Sequence, residues 1–157
     1  MASEQPRRVR RPKDKEDLVQ RLTEGKEAVF STYRDLLIFS ASLGYYHAEK
    51  KPFKATSEPI PWSYFMHTPG EQLVDMLTAA NVSDPAALGA SPELFNQRLE
   101  LFEEYANGGL EVLQRELKES TAPPVEVIRT LLLSVEELTP GETHEPDLKE
   151  IAETLSL

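Results

Sequence analysis

The tripeptide Asn107-Gly108-Gly109 lies within the longest helical pattern of this 157-residue chain. Asparagine and glycine tolerate the positive φ angles with which many helices end. The apolar pattern resumes at Leu110 and continues to Leu117. The sequence therefore predicts one helix that ends at the glycines and a second that follows directly, so that the two meet at a tight corner.

Apolar residues spaced three or four positions apart recur along most of the chain, as they do in amphipathic helices. The pattern predicts helices over 15–24, 31–45, 69–81, 92–107, 110–119, 125–139 and 148–155. Residues 47–61 are predicted to be irregular, because Pro59 and Pro61 exclude a central strand there. The expected fold class is therefore mainly α, as a compact single-domain multi-helix fold.

We divide this domain into three parts on charge and periodicity. Residues 1–13 form a basic, partly disordered arm, 14–119 the helical core domain, and 120–157 additional C-terminal helices packed on the same domain. No apolar run reaches the length of a membrane span, and no apolar leader is visible. We therefore expect no contact with membranes and a cytoplasmic location.

Basic residues are concentrated at the N-terminus of an otherwise acidic chain. The first 15 residues carry a net charge of +4 and the remainder −14, which gives −10 overall. An acidic body repels nucleic acid, but a basic arm can bind phosphate or an acidic partner; the alternative is a solvated tail. The candidate phosphate contacts are Arg7, Arg8, Arg10, Arg11, Lys13 and Lys15, with Lys50, Lys51 and Lys54 as a second patch.

An aromatic cluster follows the second basic patch, at Trp62, Tyr64, Phe65 and the adjacent Met66. One interpretation is that this segment folds back and fills the core. The other is that it forms a binding surface with a basic rim. The sequence leaves both interpretations open.

No residue pattern predicts catalysis, and we expect neither a metal nor another cofactor. The absence of cysteine excludes disulfides, thiolate metal ligands and cysteine nucleophiles. The three histidines are far apart, and neither a phosphate-binding glycine loop nor a nucleophile elbow is present. We interpret three neighbouring glutamates as part of a solvated helix face: Glu100, Glu103 and Glu104. The alternative is that they include an active carboxylate pair.

The N-terminal order of a basic extended piece, a short helix and a longer helix is that of a ribbon–helix–helix module. In such a module two strands pair across a homodimer and enter the major groove of DNA. The candidate strand here is residues 8–11, followed by helices 15–24 and 31–45. The alternative is an ordinary two-helix start with a basic tail.

Several stretches together identify a family resemblance over about residues 9–119: RRPKDKEDL at 10–18, FSASLGY at 39–45, PF at 52–53, EPIPW at 58–62 and FEEYANGGL at 102–110. The chain resembles the DNA phosphorothioation-associated protein 4 family, also called Dnd system-associated protein 4. The resemblance implies a bacterial protein that accompanies DNA sulfur-modification and restriction genes. It supplies no catalytic residues, and the tail from about residue 120 lies outside it.

Two hypotheses follow from the charge pattern and the resemblance. In the first, the chain is a non-enzymatic accessory protein of a phosphorothioation-linked anti-phage defence system and contacts DNA, modified or unmodified, through its basic arm. In the second, it is an adaptor whose acidic helices, at about residues 71–119, dock on a basic protein of the modification or restriction machinery or imitate the charge of DNA. The ribbon–helix–helix arrangement would in addition require a homodimer, because a lone two-stranded ribbon is not stable.

Overall fold

The structure, a computed structural model, describes residues 7–138, with side chains to residue 134. In chain order it contains β1 (Val9–Pro12), α1 (Glu16–Thr23), α2 (Tyr33–Tyr46), β2 (Thr56–Ile60), α3 (Pro69–Asn81), α4 (Pro92–Glu119) and α5 (Pro124–Leu138). The mainly α, single-domain prediction is confirmed. The predicted helix at 148–155 and the start of the arm, residues 1–6, lie outside the described residues.

The long helix α4 runs without a break through Asn107-Gly108-Gly109, so the predicted corner is wrong. All three residues are buried where α4 crosses α2. A Cβ atom on Gly109 would overlap the carbonyl oxygen of Ser40, and one on Gly108 would overlap that of Glu49. The glycines therefore let two backbones touch, which only residues without a side chain allow.

The hydrophobic core surrounds the central part of α4. Phe102 and Leu110 of this helix are fully buried and belong to the same cluster as Leu36 and Leu37 of α2. The last helix, α5, adds Val127, Ile128 and Leu131 to the cluster. Because α4 contributes to the core along most of its length, it is the element on which the others are assembled.

The two strands pair with each other in antiparallel fashion, with Val9 opposite Ile60 and Arg11 opposite Ser57. The prediction that 47–61 is wholly irregular is therefore wrong for β2. A two-stranded sheet has only edge strands, which is where a proline such as Pro59 is tolerated. The order of one strand and two helices that a ribbon–helix–helix module requires is present, but β1 pairs with β2 of its own chain. The far edge of β1 is also occupied, because the amide of Arg10 donates to Glu103 at 2.5 Å.

Local signals define the helix starts. The hydroxyl of Thr32 accepts a hydrogen bond from the amide of Asp35 at 3.1 Å and caps α2. Ser91 caps α4 in the same way, and Pro92 is its first residue, as the sequence predicted. No helix within residues 7–138 combines the length and the apolar character that crossing a bilayer requires.

The aromatic cluster divides between the two interpretations. Phe65 is fully buried against Phe102, and Trp62 stacks on Phe65 with ring centroids 5.6 Å apart. These two rings fill the core. Tyr64 and Met66 are exposed, so they remain on the surface beside it.

Candidate nucleic-acid interface

Two arginines of the predicted arm form ion pairs with one buried glutamate of α4. Arg7 contacts both carboxylate oxygens of Glu103 at 2.8 Å, and Arg10 contacts one of them at 3.0 Å. The side chain of Glu103 is 0 % exposed, so its interpretation as part of a solvated face is wrong. A buried carboxylate needs such partners because isolated burial of a charge is very costly.

Arg11 connects the sheet to the first two helices. It is almost fully buried, donates from Nε to the carbonyl oxygen of Glu58 at 2.9 Å and pairs with Glu16 at 3.1 Å. Its guanidinium also lies over the ring of Tyr33, 4.3 Å from the centroid. These contacts give Arg11 a place in the interior of the protein, between β1, β2, α1 and α2.

Lys15 is the third internal anchor and is only 1 % exposed. Its Nζ lies 2.7 Å from Glu111 Oε1 and 3.2 Å from Asn107 Oδ1. Lys51 approaches the same carboxylate at 2.5 Å. Hydrogen bonds from Lys15 and then from Lys51 lower the pKa of Glu111 to about 2, so this carboxylate is ionised at neutral pH.

The remaining predicted cations are exposed, and four of them belong to two segments that lie side by side. The amide of Lys13 donates to the carbonyl oxygen of Ala55 at 3.0 Å, which lays the segment 50–55 alongside residues 13–15. The two basic patches predicted separately from the sequence are therefore neighbours. We call their exposed members the lysine face, which consists of Lys13, Lys50, Lys51 and Lys54. Arg8 is also exposed but lies at the opposite end of β1.

Acidic side chains border the lysine face and limit its extent. Burial raises the pKa of Glu104, although nearby Lys50 opposes this effect. The hydrogen bond to Glu111, and to a smaller extent the negative charge of Asp14, raises the pKa of Lys51. Phosphate contact on this face would therefore involve a few individual ammonium groups rather than a broad positive field. Within the described residues, no three histidine, aspartate or glutamate side chains are grouped closely enough to hold a metal ion.

Sequence reasoning missed the acceptors that hold the basic segments. Glu103, Asn107 and Glu111 are spaced four residues apart, so they lie on one face of α4. The amide group of Asn107 also donates to the carbonyl oxygen of Lys51 at 3.1 Å. A polar stripe at positions i, i+4 and i+8, directly beside the apolar positions Phe102, Ala106 and Leu110 of α4, was the available signal.

A family model described as DNA sulphur modification system-associated protein 4 matches residues 8–151 of the chain. The match extends past residue 120, so the limit that the resemblance placed there is wrong and most of the tail is included. Comparison with curated proteins and with solved structures gave no match.

Proposed function

The chain belongs to the DNA sulphur modification system-associated protein 4 family, and from this premise we propose that it is a non-enzymatic accessory protein that contacts DNA through the lysine face. It would act in the bacterial cytoplasm beside the modification or restriction machinery in anti-phage defence. The observation that carries the proposal is that two separate segments, which together expose four lysines, lie side by side. Ammonium groups bind phosphate oxygens irrespective of sequence.

The internal ion pairs support this division of roles. Arg7, Arg10 and Lys15 hold the N-terminal segment against α4, and Lys13 lies on that fixed segment. The lysine face is therefore largely preformed, and binding would not require ordering of the backbone. Because the chain as a whole has a net charge of −10, we expect weak binding that is steeply sensitive to salt.

The test is binding of the full chain to a DNA duplex, with and without phosphorothioate, across a salt series. Three phosphate contacts, or four if Lys51 leaves Glu111, would give a slope of log K against log salt of about −3 to −4. Replacing the four lysines of the face by alanine should weaken binding about tenfold or more and flatten the slope. A difference in affinity between the two duplexes would further show that the protein distinguishes sulfur-modified DNA from unmodified DNA.

The control removes the same number of positive charges elsewhere on the surface. The control variant changes Arg21, Lys26, Lys118 and Arg129, which are all exposed and outside the face, to alanine. We expect it to bind within about twofold of the parent chain, since distant charges are largely screened. Equal losses in both variants, or no binding to either duplex at low salt, would refute the proposal.

A second candidate function is that of a protein–protein adaptor whose acidic helical body docks on a basic component of the machinery. The observation that favours it is an apolar stripe on α5. Val125, Leu132 and Leu133 are each about half exposed, although their neighbours Val127 and Ile128 are buried. Exposed apolar surface of this kind often marks a binding site for a partner protein. Binding of a machinery protein by a chain that does not bind DNA would favour this function.

A further inference from the structure

A groove of about 280 Å³ lies between the start of α2 and strand β2, away from the lysine face. Its walls are mainly apolar, and two tyrosines and two prolines contribute to them: Tyr33, Tyr64, Pro59 and Pro61. Tyr64 is 58 % exposed, the largest exposed fraction among the five tyrosines of the chain.

Contacts within the protein hold the ring of Tyr33 and the backbone of Tyr64 in place. The hydroxyl of Tyr33 donates to Glu24 at 2.7 Å, and the guanidinium of Arg11 covers one face of its ring. Arg34 donates to the carbonyl oxygen of Tyr64 at 3.2 Å and so ties that residue to α2. A ligand that stacks on the two tyrosines would therefore meet a preorganised surface.

The charge of the groove selects against a polyanion. Arg11 is paired with Glu16 at 3.1 Å, and Arg34 with Asp35 at 3.1 Å. The third charged residue of the groove, Glu58, is exposed and forms no ion pair with any side chain of residues 7–134. Since both arginines already have carboxylate partners, Glu58 is the charged residue of the groove that remains available to attract an ammonium or guanidinium group.

We propose that this groove binds an extended, proline-containing segment of a partner protein that carries an arginine or lysine opposite Glu58. Proline-rich segments adopt the polyproline II conformation before binding, so they lose little entropy when they dock. Their rings pack into grooves lined by aromatic side chains, as Tyr33 and Tyr64 line this one. The basic side chain sets the orientation of the segment through Glu58. Because the groove is separate from the lysine face, this interaction is independent of DNA contact.

The test uses the full chain labelled with ¹⁵N and titrated with two sets of short synthetic peptides. Every peptide is rich in proline. In one set a single arginine is moved from position to position, and in the other an aspartate replaces it. We expect amide shifts at Tyr33, Arg34, Ile60 and Tyr64, and the best arginine peptide should bind about fivefold tighter than its aspartate counterpart.

Two variants separate the ring contacts from the charge contact. Tyr64→Ala should weaken binding of the best peptide about tenfold, whereas Tyr46→Ala, which removes an exposed tyrosine outside the groove, should leave it unchanged. Glu58→Lys changes an exposed side chain and should reverse the preference, so that aspartate peptides bind tighter.

Three outcomes would overturn the proposal. The first is that no peptide shifts the groove amides at millimolar concentration. The second is that a DNA oligonucleotide shifts them and the peptides do not. The third is that the preference for arginine survives Glu58→Lys. The variant that lacks the four lysines of the lysine face should retain peptide binding, so this proposal and the DNA proposal fail separately.

Discussion

Helix α4 holds two neighbours by opposite means. Against α2 it presents Gly109, and against the segment that follows α2 it presents Gly108. In both places the backbones approach so closely that a methyl group does not fit between them. Against the N-terminal segment it presents Glu103 and Glu111, whose carboxylates receive long basic side chains. In the first contact the absence of a side chain lets the two main chains meet. In the second, long charged side chains bridge a wider gap between the main chains.

The two contacts differ in how much change they tolerate. A backbone contact depends on shape, so any added atom must displace a helix. A buried ion pair contributes little net stability when it is complete, but removing one partner leaves a charge without compensation. Both contacts can therefore be broken by single substitutions, and the sizes of the losses distinguish them.

The largest effect is expected from Gly109→Ala. An alanine in the middle of a helix normally stabilises it by about 1 kcal/mol relative to glycine. Here the new methyl group would overlap the backbone of Ser40, and we expect a net loss of about 4 kcal/mol in the free energy of unfolding. Denaturation by urea measures the change, and near-ultraviolet circular dichroism reports any loss of packing between α2 and α4.

Gly25→Ala is the matched control for this prediction. Gly25 has a φ of +81° but no atom within reach of an added Cβ, so only backbone strain of about 1 kcal/mol is expected. If Gly109→Ala were as stable as the parent chain, or more stable, the two helices would not be in backbone contact. The difference between the two contacts of α4 would then lose its basis.

The second-largest effect is expected from Glu103→Gln, a loss of about 3 kcal/mol in the free energy of unfolding. The amide retains the shape of the side chain but leaves Arg7 and Arg10 without their anionic partner. Both guanidiniums are about one-third exposed, so they can turn toward water and the loss should be smaller than for Gly109→Ala. Hydrogen exchange of the β1 amides should accelerate at the same time, because this strand would detach from α4.

Glu100→Gln is the control on the same helix, one turn earlier, at an exposed position. We expect its stability to change by less than about 0.5 kcal/mol. Equal stability of the two variants would mean that Glu103 does not hold the N-terminal segment. The arm would then be free to bind phosphate with Arg7 and Arg10, as the sequence first suggested.

Periodicity and capping signals predicted most of the fold. The starts of α2, α3 and α4 follow from a cap residue or a cap followed by proline, and these effects are local. The continuity of α4 could not be predicted, because the roles of Gly108 and Gly109 depend on the backbones of Glu49 and Ser40, which lie much earlier in the chain. Glycine has the same local signature whether it ends a helix or admits a neighbouring backbone.

For the candidate site, the sequence predicted which basic residues are present but not where the fold places them. The sequence identified the basic side chains, but which of them face solvent depends on the carboxylates that the fold places nearby. Lys13 and Lys15 are two residues apart, yet Lys13 is exposed and Lys15 is almost fully buried. The difference arises because Glu111, about one hundred residues away, lies beside Lys15.

The smallest effect concerns Glu111 and depends on pH. Its pKa is lowered to about 2 in the folded chain, against an ordinary value of 4.5, so its contribution to stability is complete above the unfolded pKa and is lost as the pH falls toward 2. We expect Glu111→Gln to cost on the order of 1 kcal/mol at pH 7, a value reduced by solvent screening of a carboxylate that is partly exposed. As the pH falls toward 2 the stabilities of the parent and the variant should converge, because the carboxylate of the folded parent is then about half protonated. Glu119→Gln, at an exposed position near the end of α4, should show no such convergence.

A constant difference between Glu111→Gln and the parent across this pH range would mean that Lys15 and Lys51 hold the side chain by shape and not by charge. The contrast between a contact built on glycine and one built on ions would then apply to Glu103 alone.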